Sequence, residues 1–339
     1  MGYTVAVIGA TDNVGREILQ TLAERNFPAD QVIALGTDRA VGHEVSYGED
    51  DVLKVLDVAK FDFSTVDVAF SPVDPKLSAL YAPRAATSGC VVIDMSGHFA
   101  LDPEVPLVVP EVNASVLAGY KQRYIVANPT GSTIQLTLAL KPLHERFTVT
   151  RAVVSTYQAV SSEGKEAMDE LFTQTRAIFV NDPVVKSVFP KQVAFNVIPQ
   201  IDRFLDDGYT NEEWRLNVET KKILDPRIKV TATCVRVPVF IGDCEAVHVE
   251  TEQPITAEEA SEILRAAPGV SVLDQRAAEG YITPVEVAGE NPVFVSRIRE
   301  DITVENGLAF WCVADNLRKG AALNAVQIAE ILVRDHLED

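Results

Sequence analysis

The chain has 339 residues, of which 47% are hydrophobic and 23% charged, and a formal net charge of −19. That length and composition suit two domains with full cores and exclude a disordered chain. The acidic balance, with no basic run, argues against nucleic acid and anionic membranes as partners, but a few local cations could still hold a small anion.

No apolar run reaches membrane-spanning length, and a strand pattern begins within three residues of the start, so no signal peptide is expected. The four cysteines, Cys90, Cys234, Cys244 and Cys312, are scattered and form no metal-type pair. Three of them sit in apolar runs as buried thiols. A reducing, cytoplasmic setting and no metal are the expectations.

Tyr3 to Ile8 is a buried-strand run, followed by the loop Gly9-Ala10-Thr11-Asp12-Asn13-Val14-Gly15. An amphipathic helix is predicted over Arg16 to Arg25 and a second strand over Gln31 to Leu35. This is a βαβ unit at the start of a doubly wound sheet. Further strands are expected at Val66 to Phe70 and Val91 to Asp94, with a helix over Leu77 to Ser88 between them. A dinucleotide loop needs a glycine where the pyrophosphate approaches the backbone, and Asp12 stands there. Two unit charges 4 Å apart at an effective dielectric of about 20 repel by roughly 4 kcal/mol, about a thousandfold in affinity. Asp12 is also a good helix N-cap, so both roles are expected.

The strand-like Tyr124-Ile125-Val126 leads into the turn Asn128-Pro129-Thr130-Gly131-Ser132-Thr133 and then an apolar helix pattern. A side chain on such a turn lies at the positive end of a helix. This turn resembles the Asn-Pro-Asn-Cys-Ser-Thr nucleophile turn of bacterial aspartate-semialdehyde dehydrogenases. The resemblance continues through Pro106 to Asn113, Ser155 to Val160, Glu212-Glu213-Trp214, Glu219 to Ile223, Cys234 to Val239 and Asp315 to Asn324. It implies a fold of an α/β Rossmann-like parallel-sheet domain plus an α+β dimerisation and catalytic domain. The domains would be 1–127, with a C-terminal helix over 317–337 packing back on it, and 128–316. It also implies a homodimer with Lys165 to Phe179 at its interface. The family reaction uses NADPH, a cysteine thioester and a histidine acid/base.

Carried over residue by residue, the resemblance puts Gly131 at the nucleophile position and Asp243 at the histidine position. Ala100 falls where the family has a phosphate-binding arginine. Gln158 is kept. Arg236 and Glu212 match the pair that holds the amino-acid end of the substrate, and Asn128 and Arg215 match phosphate-side contacts. Gly9, Thr11, Gly15, Arg39 and Asn316 remain as vestiges of the cofactor site. Asp12, Asp74 in Ser71-Pro72-Val73-Asp74-Pro75 and Glu163 in Ser161-Ser162-Glu163-Gly164 would crowd NADP.

Three readings follow: an ordinary dehydrogenase with tolerated changes, for which Cys244 is the one candidate rescue nucleophile; a non-catalytic binding or regulatory relative; or a pocket rebuilt for non-redox chemistry. The third is preferred, with loss of dehydrogenase activity and no cofactor expected. In it Asp243 and His98 form an acid/base couple, helped by Gln158 and Thr130, on a small aspartate-like amino acid. Asp182 to Pro199 reads as irregular, and Thr256 to Glu259 opens a helix with a capping-box pattern. His43, His144, His248 and His336 are read as structural.

Overall fold

The computed structural model describes residues 2–37, 39–49 and 51–337. It divides into two compact units, Met1–Thr130 with Ala321–Asp339, and Gly131–Gly320.

The first unit begins with β1 (Tyr3–Ile8), α1 (Asn13–Glu24) and β2 (Ala29–Gly36). A short hairpin of β3 (Glu44–Tyr47) and β4 (Asp51–Lys54) follows, then β5 (Leu56–Asp57), β6 (Val68–Ser71), α2 (Pro75–Thr87), β7 (Val91–Asp94), α3 (Pro110–Asn113) and β8 (Ile125–Ala127). Six strands form one parallel sheet in the order β5-β2-β1-β6-β7-β8. Strands covered on both faces read as continuous apolar runs, and Val5 to Ile8 and Val91 to Ile93 are buried accordingly. The chain order reverses between β1 and β6. Ligands of doubly wound sheets bind at that point, outside the carboxyl ends of the strands.

The C-terminal helix Leu323–Asp335 packs on α1, α3 and β7. Asn324 anchors it by donating from Nδ2 to Val108 O (3.1 Å) and Asn128 Oδ1 (2.8 Å). Arg25 pairs with Glu330 at 2.6 Å. The helix begins later than the predicted Leu317, because Arg318–Ala322 winds as a π-helical turn. There the Asp315 carboxylate accepts from the Leu317 and Arg318 backbone N–H groups.

The second unit comprises α4 (Gly131–Phe147), β9 (Val149–Gln158), α5 (Lys165–Val180), α6 (Asn211–Ile223), β10 (Lys229–Arg236), β11 (Asp243–Thr251), α7 (Ala257–Ala266), β12 (Val270–Val272), α8 (Pro284–Val287), β13 (Val293–Glu300) and β14 (Gly307–Ala314). Its sheet is mixed, in the order β10-β9-β11-β14-β13-β12. Helices α4, α6 and α7 pack against it.

From Glu245 onward the side chains of β11 alternate in exposure, after three buried residues, Asp243 to Glu245. Asp243, Glu245, Val247 and Val249 are buried, whereas Ala246 and His248 are not. A capping box starts α6, with Thr210 accepting from the Glu213 N–H and Glu213 reaching back to the Thr210 N–H at 2.7 Å. It fixes the helix that carries Glu212 and Arg215.

The segment between α5 and α6 forms no helix or strand. It is clamped by the buried Glu170, whose Oε2 accepts from Ser187 and Val188 N–H, and by Gln174, whose Oε1 accepts from Val193 and Ala194 N–H. The clamped stretch then pairs with β10 through reciprocal Ile198–Arg236 backbone hydrogen bonds of 2.9 Å.

Candidate active site

In the first unit, the β1–α1 loop has a geometry that only glycine permits. Gly9 has φ +82°, and a Cβ on Gly15 would lie 2.1 Å from Gly9 O. Helix α1 therefore starts pressed against the end of β1, as a dinucleotide-binding turn requires. The N-terminus of α1, the positive end of its dipole, follows directly on this turn.

The acids expected to repel a cofactor are engaged or placed otherwise. Asp74 is the N-cap of α2, and its Oδ1 accepts from the Lys76 (2.8 Å) and Leu77 (3.1 Å) N–H groups. Glu163 lies in the second unit, ion-paired to Arg236 at 2.6 Å. Asp12 holds the N-cap position of α1, but its side chain makes no capping hydrogen bond, contrary to its expected role. Although the residue is exposed, partial burial of its carboxyl raises the Asp12 pKa above the ordinary range, against the pull of Arg16. Gly9, Thr11 and Gly15 thus fit a nucleotide, with the exposed Arg39 beyond the end of β2. Asn316 lies in the second unit. Its side chain ties the Gly242 N–H (2.8 Å) to Ser161 (2.9 Å).

In the second unit, a buried polar set lies on the strands beneath α4 and α6. Gln158 donates from Nε2 to Ser132 Oγ (2.7 Å) and to Glu212 Oε1 (3.3 Å). Ser132 Oγ lies 3.4 Å from the same Glu212 oxygen. Asp243, at the start of β11 behind Gly242 (φ +102°), accepts the Ala159 N–H at 2.7 Å. Burial pushes its carboxyl up to about 7, against the pull of the Ala159 N–H and Arg236, while the charges of Glu212 and Asp315 push it further up. Arg236 is buried. It donates from Nη1 to Ala159 O (2.6 Å) and Ser162 Oγ (2.5 Å), and from Nη2 to Glu163 Oε1 (2.6 Å). Arg215 donates to the fully buried Glu219 at 3.0 Å.

Gly131 is the first residue of α4. A Cβ there would come within 3.1 Å of Gly320 O, so a side chain would require that backbone to give by a few tenths of an ångström. Thr130, just before the helix, is half-buried. Asn128 is buried in the first unit and engaged by Asn324. Cys244 is buried, and burial raises its thiol, as it does for Cys90, Cys234 and Cys312. A buried protonated thiol is inert, which agrees with reading Cys244 as a lone cysteine rather than a rescue nucleophile.

His98 and Asp243, the expected acid/base couple, belong to different units. His98 is an exposed loop residue of the first unit, its ring edge-on to Phe99 and its N–H donated to Ser96 Oγ. Sequence reasoning missed Glu245, whose two carboxyl oxygens are buried without a hydrogen-bond partner and whose pKa burial raises. The signal was present in the sequence, since an acid sits on the β11 face that Val247 and Val249 bury.

Comparison with known proteins matches both units. Residues 4–120 fit the model for the semialdehyde dehydrogenase NAD binding domain, and 140–319 the model for the semialdehyde dehydrogenase dimerisation domain. Curated aspartate-semialdehyde dehydrogenases from a Shewanella species and from Aquifex aeolicus are each 47% identical. They cover 98% and 99% of this chain and 98% and 100% of their own lengths.

The chain belongs to the aspartate-semialdehyde dehydrogenase family.

A crystal structure of aspartate semialdehyde dehydrogenase II from Vibrio cholerae superposes with a TM-score of 0.96 at 46% identity, over 99% of this chain and 100% of that one. A second structure of that protein is described as complexed with ASA. These findings overturn two sequence-based expectations: a lost dehydrogenase activity with repurposing to non-redox chemistry, and the absence of a cofactor. Full-length relatives of such identity are dehydrogenases, and an NAD binding domain is present. The physical error lay in reading the acids by charge alone. Two of the three are turned to other partners, one capping α2 and one paired with Arg236.

Proposed function

We propose that the chain is an NADP-dependent oxidoreductase acting on the aldehyde carbon of aspartate semialdehyde, as the family does, and that it works as a homodimer. The observation that carries this reading is the 47% identity to aspartate-semialdehyde dehydrogenases over 98% of the chain. Gly9, Thr11, Gly15 and Arg39 are the residues that would hold the dinucleotide. Bound nicotinamide supplies the hydride acceptor or donor.

Asp243 is the acid/base. A carboxyl that titrates near 7 can take a proton from the substrate oxygen in oxidation and return it in reduction. Arg236 binds the substrate carboxylate and Glu212 its amino group, while Gln158 and Ser132 hold Glu212 in place. The site is divergent at residue 131, which has no side chain. The oxygen that adds to the carbonyl carbon therefore comes from phosphate or water rather than from the chain, and its proton passes to Asp243. Exposed Phe172, Phe179, Val180 and Phe195 on α5 and the segment after it support the dimer.

Replacing Arg236 tests the substrate assignment. Arg236→Ala is expected to raise KM for aspartate semialdehyde about 100-fold, the loss of a charge-assisted contact of roughly 1.5–3 kcal/mol, with a smaller change in kcat. Steady-state kinetics with an unchanged KM would remove Arg236 from the binding site.

A further inference from the structure

The contacts of Arg236 say what happens before a substrate arrives. Its guanidinium is buried, and both terminal nitrogens donate to the protein. Nη1 serves Ala159 O and Ser162 Oγ, and Nη2 serves Glu163 Oε1 at 2.6 Å. Phe189 lies against the group, with the guanidinium carbon 5.9 Å from its ring centroid.

The Glu163 side chain is 43% exposed, whereas that of Arg236 is 2% exposed. The acid therefore reaches inward from a solvent-facing loop to a buried cation. Its loop is a short 3-10 turn, Val160–Glu163, that ends at Gly164 with φ +86°. Just before it, the Ala159 N–H is held by Asp243 and the Ala159 carbonyl by Arg236. One end of the turn is thus pinned to the catalytic carboxyl, and the other carries the acid.

We propose that Glu163 is a built-in stand-in for the substrate carboxylate, occupying Arg236 in the empty site and yielding it when an amino-acid substrate binds. The proposal rests on the reading that Arg236 is the substrate-carboxylate residue. The chemistry supports an exchange. A buried arginine without a counter-charge is costly, so an empty pocket needs a resident anion. An anion on a half-exposed loop can regain water when displaced, which a buried one cannot. Ser162 and Ala159 O remain on Nη1 throughout, so only the Nη2 contact changes partner. Glu163 is on this account a specificity-determining residue. It sets a threshold that a ligand must exceed, which an anionic carboxylate does and an uncharged amide or ester analogue does not.

The test compares Glu163→Gln with the native protein. Glutamine can still accept from Nη2 but carries no charge, so the pocket keeps its hydrogen bond. Calorimetric titration with aspartate, as a non-reacting carboxylate probe, is expected to show about 10-fold tighter binding in Glu163→Gln. The aspartate-induced rise in melting temperature should also be larger in the variant. Aspartate diamide, which lacks both carboxylates, should show no measurable binding to the native protein, because it cannot displace Glu163; tight binding would contradict the threshold. Glu163→Ala, read by the same titration, should show the tightening too and guards against a compensating effect of the amide.

Unchanged or weaker aspartate binding in both variants overturns the stand-in role. Arg236→Ala separates that failure from failure of the site itself. If it leaves aspartate affinity unchanged, the carboxylate site is misplaced. If it abolishes binding while the Glu163 variants bind as the native protein does, only the stand-in is wrong.

Discussion

Asp243→Asn is expected to lower kcat by about 10²–10⁴-fold, the usual contribution of a general acid/base, while making the protein more stable at pH 8. The two effects have one cause. An unfolded aspartate releases its proton near 3.8, whereas the folded Asp243 releases it at about 7. Between those values the folded state holds a proton that the unfolded chain has lost, so stability falls as pH rises through that window. At about 1.4 kcal/mol per unit over roughly three units, the penalty above pH 7 is on the order of 4 kcal/mol. Asparagine removes it and can still accept the Ala159 N–H. Thermal melts at pH 5 and pH 8 check this. The variant should gain most at pH 8 and roughly a third as much at pH 5, and an equal gain at both would contradict the assignment. The native activity in the oxidative direction should rise with pH through about 7 as the base ionises.

Gly15→Ala should abolish tight NADP binding and destabilise the first unit. The new methyl would sit 2.1 Å from the Gly9 carbonyl oxygen, which is backbone and cannot rotate away. Helix α1 would have to shift off β1, carrying its N-terminus away from the phosphate position. Overpacking of this kind costs about 1–3 kcal/mol. Titration of the purified variant with NADPH should show affinity lowered at least tenfold, with a lower melting temperature. Native-like affinity would mean that the dinucleotide is held elsewhere.

Much of the fold could be read from residue pattern, because strands buried on both faces advertise themselves as apolar runs. Tyr3 to Ile8 and Val91 to Asp94 have the bounds that their runs suggest. The Thr256 capping box was equally legible, since the residue types that make it are adjacent in sequence. Glycine misled at two helix starts. Asn13 to Gly15 and Gly131 read as loop, yet both stretches are helical, because close backbone approach there matters more than helix propensity.

The site was legible in its composition but not in its directions. The sequence shows that residues 74 and 163 are acids. It does not show that the first turns onto the α2 N–H groups and the second onto Arg236. Direction decides whether a charge opposes a cofactor. The raised pKa of Asp243 was also out of reach, since it arises from burial and from Glu212 and Asp315, which are distant in sequence.

The most direct measurement is the initial rate of NADP reduction by the purified protein with aspartate semialdehyde, with and without inorganic phosphate, followed by nicotinamide absorbance. The account predicts NADPH formation that requires the semialdehyde, rises through about pH 7 and is lost in Asp243→Asn. No NADPH under any of these conditions, from protein that binds NADPH, would contradict it.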